Sequence, residues 1–292
     1  MQLAARAGAW SPSGKKPPAY GGLCFTAEAD NSSVQLTAVG SAPAVTLVKS
    51  FDGVNWEDYA VGEVIDLPST GDFVYLAAGE GGNETFGSSL SAYHNFVING
   101  LVAASGDITS LRRFDLEQTT LAKYCYYSMF SSCTGLTSAP ELPATTLATG
   151  CYRQMFRGCT GLTSAPELPA TTLASSCYAF MFSGCTGLTS APELPATTLA
   201  INCYAYMFEG CTGLTSAPEL HATTLERASC IFMFSGCTNL SLIKVRFTDW
   251  RNYTNSWVNG VSPTGTFYKP TALPEEYGVN KIPTGWTVVN ID

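Results

Sequence analysis

Residues 151–176 read CYRQMFRGCTGLTSAPELPATTLASS, and this 26-residue phrase returns with few changes along the middle of the chain. Its ten-residue centre, Cys-Thr-Gly-Leu-Thr-Ser-Ala-Pro-Glu-Leu, occurs four times, beginning at Cys133, Cys159, Cys185 and Cys211. Met-Phe pairs begin at positions 129, 155, 181, 207 and 233 with the same spacing. A period kept without insertion over five units predicts a repeat protein, in which stacked neighbours bury one another's apolar faces.

One half of each unit suits a short parallel strand. Leu162, Ala165 and Leu168 are small or aliphatic, and Pro166 and Pro169 restrict the edges of such a strand. Strands of neighbouring units would then lie about 4.8 Å apart.

The other half of each unit suits a short helix. Cys177, Phe180 and Met181 stand at i, i+3 and i+4, which indicates one apolar helical face. Gly184 follows at the place where a helix commonly ends on a glycine. Strand, turn, short helix and return predict one coil of a solenoid.

The same residues carry a family resemblance. Segment 156–162, Phe-Arg-Gly-Cys-Thr-Gly-Leu, followed by Leu168-Pro169, resembles the F-x-x-C-x-x-L and L-P signature of BspA-type leucine-rich-repeat surface proteins. The resemblance covers about residues 114–250, with a unit somewhat longer than the family's usual one, and segment 255–268 (NSWVNGVSPTGTFY) resembles the family's C-terminal closing segment. It implies an α/β leucine-rich-repeat solenoid of five 26-residue units, with short parallel strands plus short helices, in a surface-displayed adhesin or binding protein.

The segments on either side of the repeats differ from them in sequence pattern. Residues 1–20, with Ser-Pro-Ser-Gly-Lys-Lys-Pro-Pro at 11–18, indicate an N-terminal arm or linker. In residues 21–106, short β-rich runs alternate with turn signals, which predicts an all-β, Ig-like sandwich domain. Residues 107–250 are the predicted solenoid, with 116–121 as a degraded N-terminal cap repeat, and residues 251–292 are predicted to form a C-terminal capping segment.

Composition excludes some classes of partner. Only 13% of residues are charged, the net charge is -8, and 15 Lys and Arg among 292 residues leave no basic stripe for phosphates. We therefore expect no nucleic acid partner. No stretch approaches the roughly 20 apolar residues of a membrane helix, so no membrane insertion is expected. No signal peptide is visible at the start, which indicates either another route of release or a missing leader.

Cysteines form two ladders with the repeat period. The first contains Cys125, Cys151, Cys177 and Cys203, and the second contains Cys133, Cys159, Cys185, Cys211 and Cys237. Reduced thiols buried in the core are the favoured interpretation, because free Cys behaves as a small hydrophobe. Disulfides between coils and a bound metal are the alternatives, although no paired C-x-x-C spacing of a zinc site is present.

No catalytic set is visible. The only two histidines are His94, in the predicted sandwich, and His221, where three other repeats have proline. Neither stands in a motif for nucleophilic catalysis, so we expect no enzyme and no cofactor.

Two further ladders are candidates for a ligand face. Their members are Glu141, Glu167, Glu193 and Glu219, and Tyr126, Tyr152, Tyr178 and Tyr204. A row of carboxylates attracts a basic ligand or calcium, and tyrosines stack on sugars or anchor a protein partner. The plainer interpretations are solvated duplicates for the glutamates and packing beside a core cysteine for the tyrosines.

Positions that differ between repeats are candidates for a variable surface. Arg153, Gln154, Arg157 and Glu209 are among them. Such variation indicates solvent exposure, and it also suits a tuned recognition surface.

These patterns predict a non-enzymatic recognition or adhesion protein that binds a cell-surface glycan or protein receptor. The missing leader favours a phage virion fibre or decoration protein slightly over a bacterial adhesin that binds host matrix. The N-terminal arm would then contact other virion or surface-layer proteins, and the location would be extracellular or on a virion surface. A structural spacer without ligand and, least favoured, a glycan-active enzyme are the alternatives.

Overall fold

The computed structural model describes residues 22–113, 120–251 and 253–291. The predicted N-terminal arm lies outside these residues, as do all but the last two residues of the predicted cap repeat. The strands are β1 (Cys24–Ala27), β2 (Ser32–Val39), β3 (Leu47–Ser50), β4 (Glu57–Tyr59), β5 (Val64–Leu67), β6 (Phe73–Ala78), β7 (Gly87–Ser89), β8 (Ala92–Asn99), β9 (Val102–Ser105), β10 (Leu136–Ser138), β11 (Leu242–Lys244), β12 (Thr266–Lys269) and β13 (Thr287–Asn290).

Two sheets occupy the N-terminal part, an arrangement compatible with the predicted sandwich. One has the strand order β10-β9-β1-β6-β3-β4 and the other β5-β2-β8-β7. Along β8 buried and more exposed residues alternate, as expected of a strand with one face on a core. Phe25 of β1 meets Phe96 of β8 with ring centroids 4.9 Å apart, which joins the two sheets through one apolar core.

This core continues across the predicted domain boundaries. β10 belongs to the first repeat and pairs in parallel with β9 of the sandwich. At the other end β11 follows the last repeat and pairs with β12 of the C-terminal segment, which in turn pairs with β13. Trp250 and Trp257 are buried beneath this three-stranded parallel sheet, so the C-terminal segment covers the apolar end of the repeats.

The middle of each repeat is a run of overlapping β-turns, which we call the turn wall. It comprises residues 122–133, 148–159, 174–185, 200–211 and 226–237. Within a coil, alternate amides donate to the carbonyl three residues back, as Cys177 does to Ala174. The amides between them donate to the following coil, as Tyr178 does to the carbonyl of Cys203 at 3.2 Å. The backbone hydrogen bonds between coils of the wall therefore point their N–H groups toward the C-terminal end.

The free carbonyls at the first coil are capped by the sandwich. The amide of Phe96 donates to the carbonyl of Met129 at 2.7 Å, and the amide of Phe86 donates to the carbonyl of Cys125 at 3.0 Å. At the far end, the amide of Ser256 donates to the side-chain oxygen of Asn280 at 2.6 Å. Both ends of the stack thus find partners for backbone groups that would otherwise be orphaned.

The predicted α/β leucine-rich-repeat solenoid with short helices is wrong. The described residues contain no α-helix and one 3₁₀ turn, Ile108–Leu111, and the fold is nearly all β. In the wall every fourth residue is left-handed, such as Ser176 (φ 55°), Phe180 (φ 59°) and Gly184 (φ 76°), which a right-handed helix forbids.

The predicted parallel strand of each repeat is also shorter than expected. In the central coils it survives as isolated parallel bridges, between Ser164 and Ser190 and between Thr172 and Thr198. Prolines cannot donate to a ladder, and each unit has up to two of them beside these bridges. The glycine of each Thr-Gly-Leu supports close stacking instead: a Cβ on Gly187 would lie 2.5 Å from the carbonyl oxygen of Thr160.

Candidate functional site

The turn wall alternates two inner and two outer residues. In the second coil, positions 151, 152, 155, 156 and 159 are buried, whereas 153, 154, 157 and 158 reach the surface. Because coils stack in register, equivalent outer residues of successive coils form columns. These columns are where the chain presents side chains to a partner.

One outer column carries an aromatic ladder, which we define as Phe180, Tyr206 and Phe232. The rings of Phe180 and Tyr206 are 4.3 Å apart and those of Tyr206 and Phe232 are 4.7 Å apart, both with planes 5° from parallel. All three side chains are partly exposed. Because the rings cover one another's inner faces, the ladder presents their edges and, at Tyr206, a phenolic hydroxyl.

The ladder residues have an energetically unfavourable backbone conformation. Its residues have φ of 59°, 58° and 52°, a region in which a residue with a Cβ loses roughly 1–2 kcal/mol. The same column contains Ser128 and Gln154 in the earlier coils. Bulky aromatic residues therefore occupy a position that glycine would fit better, and a large side chain in this region is a reason to look for function.

The residues next to the ladder leave its rings accessible to a partner. The guanidinium carbon of Arg153 lies 5.2 Å from the centre of the Phe180 ring, a cation–π contact at one end of the ladder. Ala179 and Ala205 precede two of the ladder residues and are 1% and 4% exposed, so they add no side chain to the surface beside the rings. The ladder therefore offers a narrow apolar strip with a cation at one end.

The predicted variable surface lies around this ladder. Arg157 is exposed, while Arg153, Gln154 and Glu209 are half-buried. The side-chain oxygen of Gln154 accepts from the hydroxyl of Tyr127 at 2.7 Å, and Glu209 accepts from Ser183 at 3.2 Å. Gln154 and Glu209 thus have protein partners, whereas the Arg157 side chain extends into solvent.

The four side chains in the tyrosine half of the candidate ligand face are buried, which favours the packing interpretation. Tyr126, Tyr152, Tyr178 and Tyr204 are no more than 1% exposed and stack at 5.8–6.3 Å inside the coils. Burial raises the pKa of each hydroxyl well above its usual value. These rings hold coils together and cannot touch a ligand.

The glutamates do not form a uniform row. Glu141, Glu167 and Glu193 are exposed. Glu219 is half-buried and pairs with Lys244 at 2.7 Å and Arg246 at 2.6 Å. Burial of Glu219 raises its pKa, but the hydrogen bonds from the two cations outweigh that effect and leave the pKa lowered.

Both cysteine ladders lie in the core, and all eleven cysteines are free thiols. In the second ladder each thiol donates to the carbonyl oxygen of a phenylalanine in the neighbouring layer, as Cys185 does to Phe156 at 3.0 Å. Burial raises the pKa of the Cys185 thiol to about 12. An S–H donor is therefore part of the contact between coils.

The histidines stand apart from one another. His94 is 2% exposed, its Nδ1 lies 3.0 Å from the carbonyl oxygen of Phe86, and burial lowers its pKa. His221 is on the surface, 4.0 Å from Glu219. Across the described ranges no three His, Cys, Asp or Glu side chains are grouped so as to hold a metal ion.

Comparison with known proteins gives no relative: no family model, no curated protein and no solved structure matches the chain. Nor does the described part contain a helix long and apolar enough to cross a bilayer. The resemblance to BspA-type proteins consequently stays a prediction.

Sequence reasoning missed the aromatic ladder. The helical interpretation placed Phe180 in the core, because i, i+3, i+4 spacing defines an inner face only in a helix. The available signal was that Phe180, Tyr206 and Phe232 share one repeat position with Ser128 and Gln154. A column that accepts serine, glutamine and aromatics is not a core column.

Proposed function

We propose that the protein is a non-enzymatic surface recognition protein that binds a cell-surface glycan or protein receptor through the turn wall. The observation that carries this proposal is the aromatic ladder, with its partly exposed rings on left-handed backbone. Tyr and Phe give large contact area at a small cost in side-chain entropy, and aromatic residues and Arg dominate binding hot spots.

The free cysteines support a virion setting over a secreted adhesin. Proteins that mature in oxidising compartments tend to form disulfides, whereas thiols persist in a reducing cytosol. Here all eleven thiols are buried and five serve as hydrogen-bond donors between neighbouring layers. A protein assembled in the cytosol and released by lysis would keep them. A bacterial adhesin that binds host matrix is the second candidate.

The test is a binding screen of the fluorescently labelled chain against bacterial cells, extracted surface polysaccharides and host matrix proteins. The diagnostic variant changes Phe180, Tyr206 and Phe232 together to Gln, the residue that this column already holds at Gln154. The control is Glu167→Gln, an exposed change in another column. Near- and far-ultraviolet circular dichroism verifies that both variants fold.

Saturable binding to one class, lost in the ladder variant and kept in Glu167→Gln, is the expected result. Binding to bacterial cells or polysaccharides supports the virion setting, and binding to host matrix supports the adhesin. Absence of binding to all three classes would contradict the proposal and favour a spacer. Binding that the ladder variant retains would contradict the placement of the site on the ladder.

A further inference from the structure

The turn wall is a basic face on an acidic protein. The whole chain has a net charge of -8. The wall has a net charge of +2, because it holds four cations and two carboxylates, which are Lys123, Arg153, Arg157, Arg227, Glu209 and Glu226. The other half of the coils, residues 134–147, 160–173, 186–199 and 212–225, holds four glutamates and no lysine or arginine. Positive and negative charge are therefore segregated on different parts of each coil.

Arginines stand near both ends of the aromatic ladder. Arg153 and Arg157 belong to the coil before Phe180, and Arg227 precedes Phe232 in the last segment of the wall. Arg157 and Arg227 are exposed. In the part of the chain that the structure describes, none of the three arginines is in an ion pair. Their guanidinium groups are therefore available to a carboxylate of a partner.

The two carboxylates of the wall have other donors. Glu209 accepts from the hydroxyl of Ser183 at 3.2 Å, and Glu226 accepts from the backbone amide of Arg227 at 2.6 Å. Among the described residues neither carboxylate is in an ion pair with an arginine of the wall. The positive charge beside the ladder is thus left for a partner to neutralise.

The ladder offers ring edges rather than ring faces. Tyr206 lies between two nearly parallel rings, and the guanidinium of Arg153 lies over the outer face of Phe180. The outer face of Phe232 is followed in its column by the small side chain of Ser256. An aromatic ring is negative on its face and positive at its edge. A pyranose stacks its C–H bonds on the face, so the ladder is a poor platform for a row of sugars, whereas its edges attract oxygen atoms and carboxylates.

An exposed apolar side chain stands one turn of the wall before the ladder. Ile201 is 43% exposed and precedes Tyr206 by five residues. The ladder rings and the guanidinium of Arg153 span about 14 Å along the column, close to the length of four residues of extended polypeptide. An extended chain directs alternate side chains to the same side. It can therefore place apolar side chains on the rings and carboxylates on the arginines.

We propose that the aromatic ladder binds an extended acidic polypeptide segment in which apolar residues alternate with Asp or Glu. This inference rests on the proposed function and names the partner as a protein. The ring edges and Ile201 bury the apolar side chains, and Arg157 and Arg227 donate charge-assisted hydrogen bonds to the carboxylates. An acidic polysaccharide would satisfy the arginines, but it would leave the ring edges and Ile201 without apolar contact. The polypeptide is therefore the better complement.

The test is a selection from an mRNA-displayed library of random twelve-residue peptides on the immobilised full chain. Counter-selection uses the variant with Phe180, Tyr206 and Phe232 changed to Gln. We expect the enriched peptides to contain more Asp and Glu than the starting library and to alternate them with apolar residues. In fluorescence anisotropy titrations, replacing one acidic residue of such a peptide by its amide should raise Kd about tenfold, as for loss of a charge-assisted hydrogen bond.

Variants separate the site from general attraction between an acidic peptide and any cation. Arg157→Gln should raise the Kd of an enriched peptide about tenfold. Arg251→Gln changes an exposed arginine of the C-terminal segment outside the wall and should leave Kd unchanged. Circular dichroism verifies that both variants fold. Equal losses in the two variants, enrichment of neutral or basic peptides, or no enrichment over the ladder variant would overturn the proposal.

The receptor screen runs beside the selection and separates this proposal from the proposed function. Ladder-dependent binding to a polysaccharide, with no peptide enriched, would overturn the acidic segment and leave the recognition function standing. A ladder-dependent dimer in sedimentation velocity would identify a second copy of the chain as the occupant and would also overturn the acidic segment. Absence of binding to every receptor class together with absence of peptide enrichment would contradict both proposals.

Discussion

Replacement of Ala228 by glycine tests the turn wall against the helix that its sequence pattern indicates. Ala228 has φ 53° and occupies the column of Ser176 and Gly150, which are also left-handed. In a helix an alanine-to-glycine change costs about 1 kcal/mol. In the left-handed region the same change removes a backbone strain of roughly 1–2 kcal/mol from the folded state. It also stabilises the unfolded chain by about 0.4–1 kcal/mol, because glycine gives that chain more conformational freedom. The two structures therefore predict opposite signs.

The net expectation is that Ala228→Gly raises the free energy of unfolding by about 0.5–1 kcal/mol. The matched control is Ala205→Gly, at a wall position that is 4% exposed and not left-handed. It should lower that free energy by about 1–2 kcal/mol, since it adds backbone freedom and removes a buried methyl group.

Urea unfolding followed by tryptophan fluorescence measures both changes. Trp250 and Trp257 are buried in the cap beyond the last coil and report on its integrity. The midpoints should move in opposite directions with unchanged slopes. A lower midpoint for Ala228→Gly, comparable to that of Ala205→Gly, would refute the left-handed wall.

Three further predictions concern the contacts between coils and the surface. Gly187→Ala should destabilise the chain by about 1–3 kcal/mol, because its Cβ would meet the Thr160 carbonyl; a thermal midpoint within error of wild type would contradict the close stacking. Cys185→Ser keeps a hydrogen-bond donor to the Phe156 carbonyl, so its free energy of unfolding in urea should lie within about 1 kcal/mol of wild type. Cys185→Ala should lose more of that free energy, and the reverse order would argue against the thiol as donor. The Glu219 pKa is lowered, so its stabilising effect should be complete at pH 7 and fade as pH falls below its ordinary value of 4.5. Glu219→Gln and wild type should therefore differ in thermal midpoint at pH 7 and converge near pH 3, and a constant gap would show that the ion pairs are not responsible.

The period of the repeat was readable from sequence, but the path of the chain within one repeat was not. Cys177, Tyr178, Met181 and Phe182 stand at i, i+1, i+4 and i+5, which lies close to one face of a 3.6-residue helix. The structure realises the same spacing with a period of four, through pairs of residues that alternate between inside and outside. A count of the apolar spacing over so short a window does not distinguish a helix from a run of turns.

The spacing of glycines carried the missing information. Gly150 and Gly158 in the second coil are both left-handed, eight residues apart, with Gln154 halfway between them. Glycine at the end of a helix explains Gly158, but not a glycine near the start of the same predicted helix. Taken together, the two positions indicate repeated left-handed turns.

The candidate site was predictable only in part. Repeat-to-repeat variation pointed to Arg153 and Arg157, which reach the surface around the ladder. The ladder itself could be recognised only from knowing which columns face outward. A helix would place Phe180 in the core, whereas the turns place it at the surface. The buried Tyr178 agrees with the plainer interpretation of its ladder, since an aromatic repeated without change is a packing residue here.

The most direct test of the account is the equilibrium binding of the chain, with and without the aromatic ladder, to the receptor class that the screen identifies. Phe180, Tyr206 and Phe232 are changed together to Gln, and Glu167→Gln serves as the control. If the ladder is the contact, Kd should rise at least about tenfold in the ladder variant and stay unchanged in the control. An unchanged Kd in a correctly folded ladder variant would contradict the assignment of recognition to this face of the turn wall.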